Sequence, residues 1–205
     1  MNAALTREWI TERFQAGAPS GDPKKWGDYM LNPGMALADN LTPAAVLIPV
    51  VNRSDELTIM FTRRTAHLAK HAGQISFPGG HIEETDKEPT DAALRETEEE
   101  VGLPRHHIDV IGQLENYISR TGFRITPIVG VIEPPFPMEP DPGEVDEVFE
   151  VPLSFLLNPE TPHRHTRQIE GEDREFYAMP YGDYYIWGVT AGILVNLYEY
   201  LSLND

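Results

Sequence analysis

Apolar positions recur along the chain with two periods, and the switch between them marks out most of its elements. Leu5, Trp9, Ile10 and Phe14 share one face at helical spacing, which predicts a short amphipathic helix over residues 4 to 15. The continuous apolar run AAVLIPVV (44 to 51) and the alternating LTIMFTR (57 to 63) flank Asn52-Arg53-Ser54-Asp55 and predict two strands joined by a turn. Further strands are expected over 108 to 118, 125 to 132, 145 to 151 and 175 to 181, and His163 and His165 alternate in another. A Pro-rich loop, PPFPMEPDPGE, fills 134 to 144. Helical patterns return at 89 to 101 and 189 to 203. Between 16 and 43 no period holds, and Pro23, Pro33 and Pro43 predict an irregular surface segment.

Strands outnumber helices, but the helices fall between and after them. That order favours an α/β fold with a mixed β-sheet between helices over a pure β-sandwich. The expected organisation is an N-terminal helix and irregular extension, residues 1–43, packed on one domain formed by residues 44–205.

Composition narrows the function. A chain of 205 residues with no apolar run near the roughly 20 residues of a membrane span, and no signal-peptide pattern at its start, is expected in the cytoplasm with no membrane partner. The absence of cysteine leaves oxygen and imidazole as the only metal ligands. A formal charge of -17 opposes general nucleic-acid binding, so a polyanionic ligand needs a local cationic patch. Arg63, Arg64, His67, Lys70 and His71, just ahead of Gly79 and Gly80, provide one.

The chemistry concentrates in FPGG (77 to 80) followed by ALRETEEEVGL (93 to 103). Pro89 suits a first helical turn, and Gly102 with Pro104 stops the helix. Glu96, Glu99 and Glu100 stand at i, i+3 and i+4, so their carboxylates share one face. Such a run alone is most often a solvated face. Arg95 inside the cluster and the glycine pair before it point instead to a site for a hard divalent cation, Mg²⁺ or Mn²⁺.

Residues 95–103 resemble the tail of the Nudix box, R-E-U-x-E-E-x-G-U, with Thr97 in the usual aliphatic place. The front half differs by one loop residue: Lys87 stands where the common spacing has Glu, while Glu83 and Asp86 follow Gly80 in a longer loop. FPGGHIEETD is similar to the coenzyme A pyrophosphatase subgroup of Nudix hydrolases, and Thr62, Arg64, Gly73 and FPGG fall on that subgroup's upstream pattern. Thr65 and Ala69 depart from it, the latter where an arginine is usual. ENYISRTGFRITPIVG, EVDEVFEVPLSFLL and WGVTAGILVNL extend the resemblance from about residue 44 onward.

The resemblance implies a Nudix α/β/α sandwich and cation-assisted attack of water on a diphosphate phosphorus. The substrate would be a coenzyme A-like nucleotide, and the assembly a homodimer. It assigns Glu96, Glu99, Glu100 and the Gly80 carbonyl to the metal, with Arg95 orienting the carboxylates. Glu144, and less so Glu147, are candidates for the general base; Glu83 and Asp86 would fix the loop or hold a further cation. Arg64, Lys70, His71, Gly79 and Gly80 are the expected substrate contacts. Tyr117, Phe123 and Trp187 are candidates to stack a base or to pack the core.

Overall fold

The computed structural model describes residues 5–17, 26–67, 71–169 and 171–202. In chain order the strands are β1 (Trp26–Gly27), β2 (Thr42–Asn52), β3 (Leu57–Arg64), β4 (Ile75–Ser76), β5 (Gly79–His81), β6 (Ile108–Gln113), β7 (Tyr117–Ile118), β8 (Phe123–Ile132), β9 (Val145–Pro152), β10 (His163–Ile169), β11 (Glu172–Tyr181) and β12 (Tyr184–Trp187). The helices are α1 (Arg7–Gln15), α2 (Pro89–Val101), α3 (Leu153–Leu156) and α4 (Val189–Ser202).

The first nine strands form one mixed sheet, with β2 running parallel to β8 and antiparallel to β3. The run AAVLIPVV is continuous because β2 is buried on both faces. Ala44, Ile48 and Val50 join one hydrophobic cluster, with Ile10 and Phe14 of α1 and Ile193, Leu194 and Leu197 of α4. Ala45, Leu47 and Val51 join the other, beneath Ala92, Ala93 and Val101 of α2. Helices therefore cover both faces, giving the expected α/β/α sandwich. A second antiparallel sheet, β10-β11-β12, packs Met179 and Ile186 into the first cluster.

Two expectations change in detail. Residues 108 to 118 form two strands on β8 rather than one, interrupted at Glu115 and Asn116. The interruption frees polar groups for other work: Asn116 accepts from Thr126 Oγ1 at 2.8 Å, and the Glu115 carbonyl accepts from Asn196 at 3.1 Å. Pro23 lies outside the described residues, but from Trp26 onward the segment is less irregular than Pro33 and Pro43 imply. Strand β1 pairs in parallel with β7, and the Asn32 side chain bonds the backbone of Glu175 through both its oxygen and its nitrogen.

The feature that positions the site is a wedge in the sheet. Along one edge, β2 pairs first with β5 (Ala44 to Val46) and then with β3 (Val50 to Asn52). Strand β4 pairs with the far end of β3, at Thr62 and Arg63. Residues 75 to 81 thus leave β3, cross at Phe77-Pro78 and join β2, splaying those two strands apart. The glycine turn expected at FPGG is in fact this crossing and the start of β5.

Candidate active site

Helix α2 carries the carboxylates, and its ends are fixed by local sequence. Glu88 and Asp91 cap the first turn reciprocally, Pro89 occupies the first helical position, and Gly102 closes the helix in the left-handed region at φ 65°. Thr97 is fully buried, and its hydroxyl donates to the Ala93 carbonyl at 2.7 Å, so a polar residue fits a site where an aliphatic one is usual.

Strand β5 lies against the carboxylate face. A Cβ on Gly80 would stand 2.4 Å from the Glu96 carboxyl carbon, and the Gly79 N–H donates to Glu100 Oε2 at 3.3 Å. The bare backbone that the sequence offered is used by the glutamates themselves.

Two guanidiniums hold the cluster. Arg95 donates to Glu96 Oε1 at 2.9 Å, Glu99 Oε2 at 3.2 Å and the His81 carbonyl at 3.1 Å. It also grips both oxygens of Asp86, at 3.2 and 3.0 Å. Asp86 Oδ2 further accepts the Glu83 N–H at 2.9 Å, which ties the 83–86 loop to the helix. Arg64, at the end of β3, approaches Glu100 Oε1 at 3.4 Å.

The electrostatics follow from this crowding. Burial is the main reason the Glu100 carboxyl is pushed up to about 7; Arg64 and the Gly79 N–H oppose that rise, while Glu96 and Glu144 add to it. Burial also raises Glu96, against the pull of Arg95 and with further repulsion from Glu99 and Glu144. Asp86 is held below the ordinary carboxylate range, chiefly by its hydrogen bonds from Arg95.

Topology brings Glu144 into this field from the far side of the Pro-rich loop. Arg64 pairs with Val145 across a bulge, and the Glu144 carbonyl accepts the Thr65 N–H at 2.9 Å. Glu147 is committed elsewhere, to Arg63 at 2.8 Å and the Tyr184 hydroxyl at 2.8 Å. His71 lies in the loop between β3 and β4 with a positive φ of 58°, its ring bonded to Gln74 at 2.8 Å rather than to the glutamates. Lys70 lies outside the described residues. Of the three aromatic candidates, Tyr117 is buried with its hydroxyl on Asp28, Phe123 packs against the first cluster, and Trp187 lines an open cleft.

The donor set is oxygen-only, and the charge of Glu144 reaches both Glu96 and Glu100 and raises their proton affinity, which fits a hard divalent cation. Among the described residues, no three His, Asp or Glu side chains converge on one cation position, and Glu99 is held by Arg95 at 3.2 Å. Of the three α2 glutamates Glu99 is the most exposed, at 60% of its side chain. The sequence assigns Arg95 to orient the carboxylates but does not reveal its anchoring by Asp86, whose one signal is an acidic residue nine positions before Arg95.

The NUDIX domain profile matches residues 41–177, a span that holds the wedge, α2 and every residue of the cluster. The chain belongs to the Nudix family and is a Nudix pyrophosphohydrolase. Among its relatives is the "Uncharacterized Nudix hydrolase NudL" of Cronobacter sakazakii, 40% identical over 197 residues, covering 96% of this chain and 95% of the relative. The NudL protein of Escherichia coli K12 is 42% identical over 158 residues, 77% of this chain and 82% of its own. Similar solved structures include the Nudix hydrolase RenU of M. smegmatis (TM-score 0.48, 19% identity, 59% of this chain and 80% of that one). Another is a C. elegans Ap4A hydrolase binary complex (TM-score 0.47, 17% identity, 54% and 80%). Enzymes of this family generally use divalent metal ions. No helix among the described residues is long and apolar enough to cross a membrane.

Proposed function

We propose that the chain hydrolyses the pyrophosphate bond of coenzyme A or its acyl derivatives, giving 3′,5′-ADP and 4′-phosphopantetheine or its acylated form. The observation that carries the reading is the carboxylate cluster at the FPGG crossing, bracketed by Arg95 and Arg64. Glu96, Glu99, Glu100 and the Gly80 carbonyl hold Mg²⁺ or Mn²⁺ in this reading. When bound, the cation lowers the pKa of water and neutralises charge on the phosphoryl oxygens.

Arg95 keeps Glu96 and Glu99 oriented, and Asp86 keeps Arg95 in place. Arg64, Lys70 and His71, with the backbone of Gly79 and Gly80, receive the diphosphate. Glu144 takes the proton of the attacking water; its charge already reaches Glu96 and Glu100. Residues 1–43 act as an extension packed on the catalytic domain of residues 44–205, in a cytoplasmic homodimer.

What supports coenzyme A over other diphosphates is the subgroup pattern through Thr62, Arg64, Gly73 and FPGG. Ala69, in the place of an arginine, favours a second reading in which another nucleoside diphosphate derivative such as ADP-ribose is cut. Incubation with coenzyme A, acetyl-coenzyme A, ADP-ribose, NADH and a dinucleoside polyphosphate, each with Mg²⁺ or Mn²⁺, separates the two. Release of 3′,5′-ADP is expected; intact coenzyme A beside cleaved ADP-ribose overturns the first reading.

A further inference from the structure

The end of β3 presents guanidiniums in two directions. Arg64 turns to Glu100 beneath α2, whereas Arg63, about 3.8 Å away along the backbone, turns to Asp146 and Glu147. On the Arg63 side a cleft of about 420 Å³ opens between the β3–β4 loop and β12. Its volume lies in the range of small-molecule sites, roughly 300–1,000 Å³.

The walls of this cleft are chemically uneven. Tyr184 is immobilised, stacked on Phe149 at 3.7 Å and bonded to Glu147. Trp187 is half-buried and braced edge-on by Phe176 at 5.3 Å, while Tyr185 stands 42% exposed. An indole supported from behind and a neighbouring exposed phenol offer a flat ring a surface at little entropic loss. Besides the tyrosine hydroxyls, the polar groups lining it are the Arg63 guanidinium, already paired with Asp146 and Glu147, Gln74, whose amide oxygen is engaged by His71, and Asp183. A carboxylate accepts from an exocyclic amine, and the Gln74 amide nitrogen donates to a ring nitrogen.

We propose that this cleft is the nucleoside subsite, with an amino-bearing purine base stacked on Trp187 and Tyr185 and its edge met by Asp183 and Gln74. The nucleotide then straddles the end of β3, base on the Arg63 side and diphosphate on the Arg64 side. This assignment rests on the proposed activity for the diphosphate's location, but its test does not depend on turnover.

AMP, inosine 5′-monophosphate and ribose 5-phosphate are titrated into the full chain with Mg²⁺ present, following heat of binding. AMP is expected to bind at least about tenfold more tightly than ribose 5-phosphate, the lower range of base–aromatic stacking. Trp187→Ala should weaken AMP about tenfold, and Asp183→Asn should abolish the preference for AMP over inosine 5′-monophosphate. Tyr185→Ala, at an exposed position, carries the stacking test if Trp187→Ala fails to fold. Equal binding of AMP and ribose 5-phosphate, or folded variants that bind AMP like the parent, overturns the subsite. Failure to cut coenzyme A with these AMP results intact would instead remove only the proposed substrate.

Discussion

Arg95 and Arg64 flank the same glutamates, yet the protein holds them very differently. Arg95 is 18% exposed and spends its guanidinium on Asp86, Glu96, Glu99 and a backbone carbonyl. Arg64 is 26% exposed and, among the described residues, its guanidinium has one long contact, 3.4 Å from Glu100. A guanidinium carries five donors, so the first is occupied and the second is underused. The first holds the geometry of the cluster, and the second, with donors to spare, is the phosphate contact proposed above.

The largest expected effect comes from removing the most buried glutamate of the cluster, the one that Arg64 faces. Glu100→Gln should lower kcat by about a thousandfold, equivalent to roughly 4 kcal/mol of transition-state stabilisation. A folded Glu100→Gln enzyme with full turnover would show that the metal assignment is wrong.

Arg95→Ala comes next, and it should damage both activity and stability. Loss of a residue that orients metal ligands typically lowers activity about 10–100-fold, and the Asp86 carboxylate, 5% exposed, would be stranded. Leaving a part-buried, hydrogen-bonded group without its partner costs about 1–3 kcal/mol, readable as a lower urea midpoint. Arg64→Ala should separate these readouts, raising KM about tenfold for a lost phosphate contact with a smaller fall in urea midpoint than Arg95→Ala, since Glu100 keeps the Gly79 N–H. If Arg64→Ala destabilised the fold as much as Arg95→Ala, the contrast between them would collapse.

The glycines beneath the two arginines sharpen the same contrast. A methyl on Gly80 meets only the flexible end of Glu96, at 2.4 Å, so Gly80→Ala should reduce activity while leaving the melting temperature nearly unchanged. A methyl on Gly79 meets the backbone of Ala45 and Val46 at 2.4 and 2.6 Å, and its φ of 154° is strained for other residues. Gly79→Ala should lower the melting temperature, and equal effects at the two positions would contradict the arrangement.

The smallest effect lies away from the site, at Arg53 and Glu150. Burial alone would raise the Glu150 carboxyl, but hydrogen bonds from Arg53 and Thr58 outweigh it and hold the group below its ordinary value. Its stabilising contribution is therefore present above the unfolded pKa of about 4.3 and lost as pH falls through the lower folded value. Arg53→Ala should be less stable than the parent by under about 1 kcal/mol at neutral pH, and the gap should close on acidification. A gap that persists in acid would assign the effect to packing.

What the sequence made legible follows the distance over which each feature is built. Helix α2 writes its own boundaries in Pro89 and Gly102, and the spacing of Glu96, Glu99 and Glu100 follows from helical geometry alone. Arg64 and Glu144 were singled out, but their meeting at Glu100 depends on β3 pairing with β9 more than 80 residues later, between Arg64 and Val145. The pairs and triplets of residues in β1, β4, β5 and β7 are too short to show a period. Asp86 was legible as a loop acid, but not as the anchor of Arg95, because that contact depends on how the loop folds back over the helix.

The shared edge of β2 has an implication for how such a molecule can change. Because β5 and β3 claim separate stretches of that edge, the chain between Thr65 and Gln74 can gain or lose residues without shifting either register. Changes in that loop would rework the proposed contacts at Lys70, His71 and Gln74 while the carboxylates of α2 and the strand that lies against them stay in place.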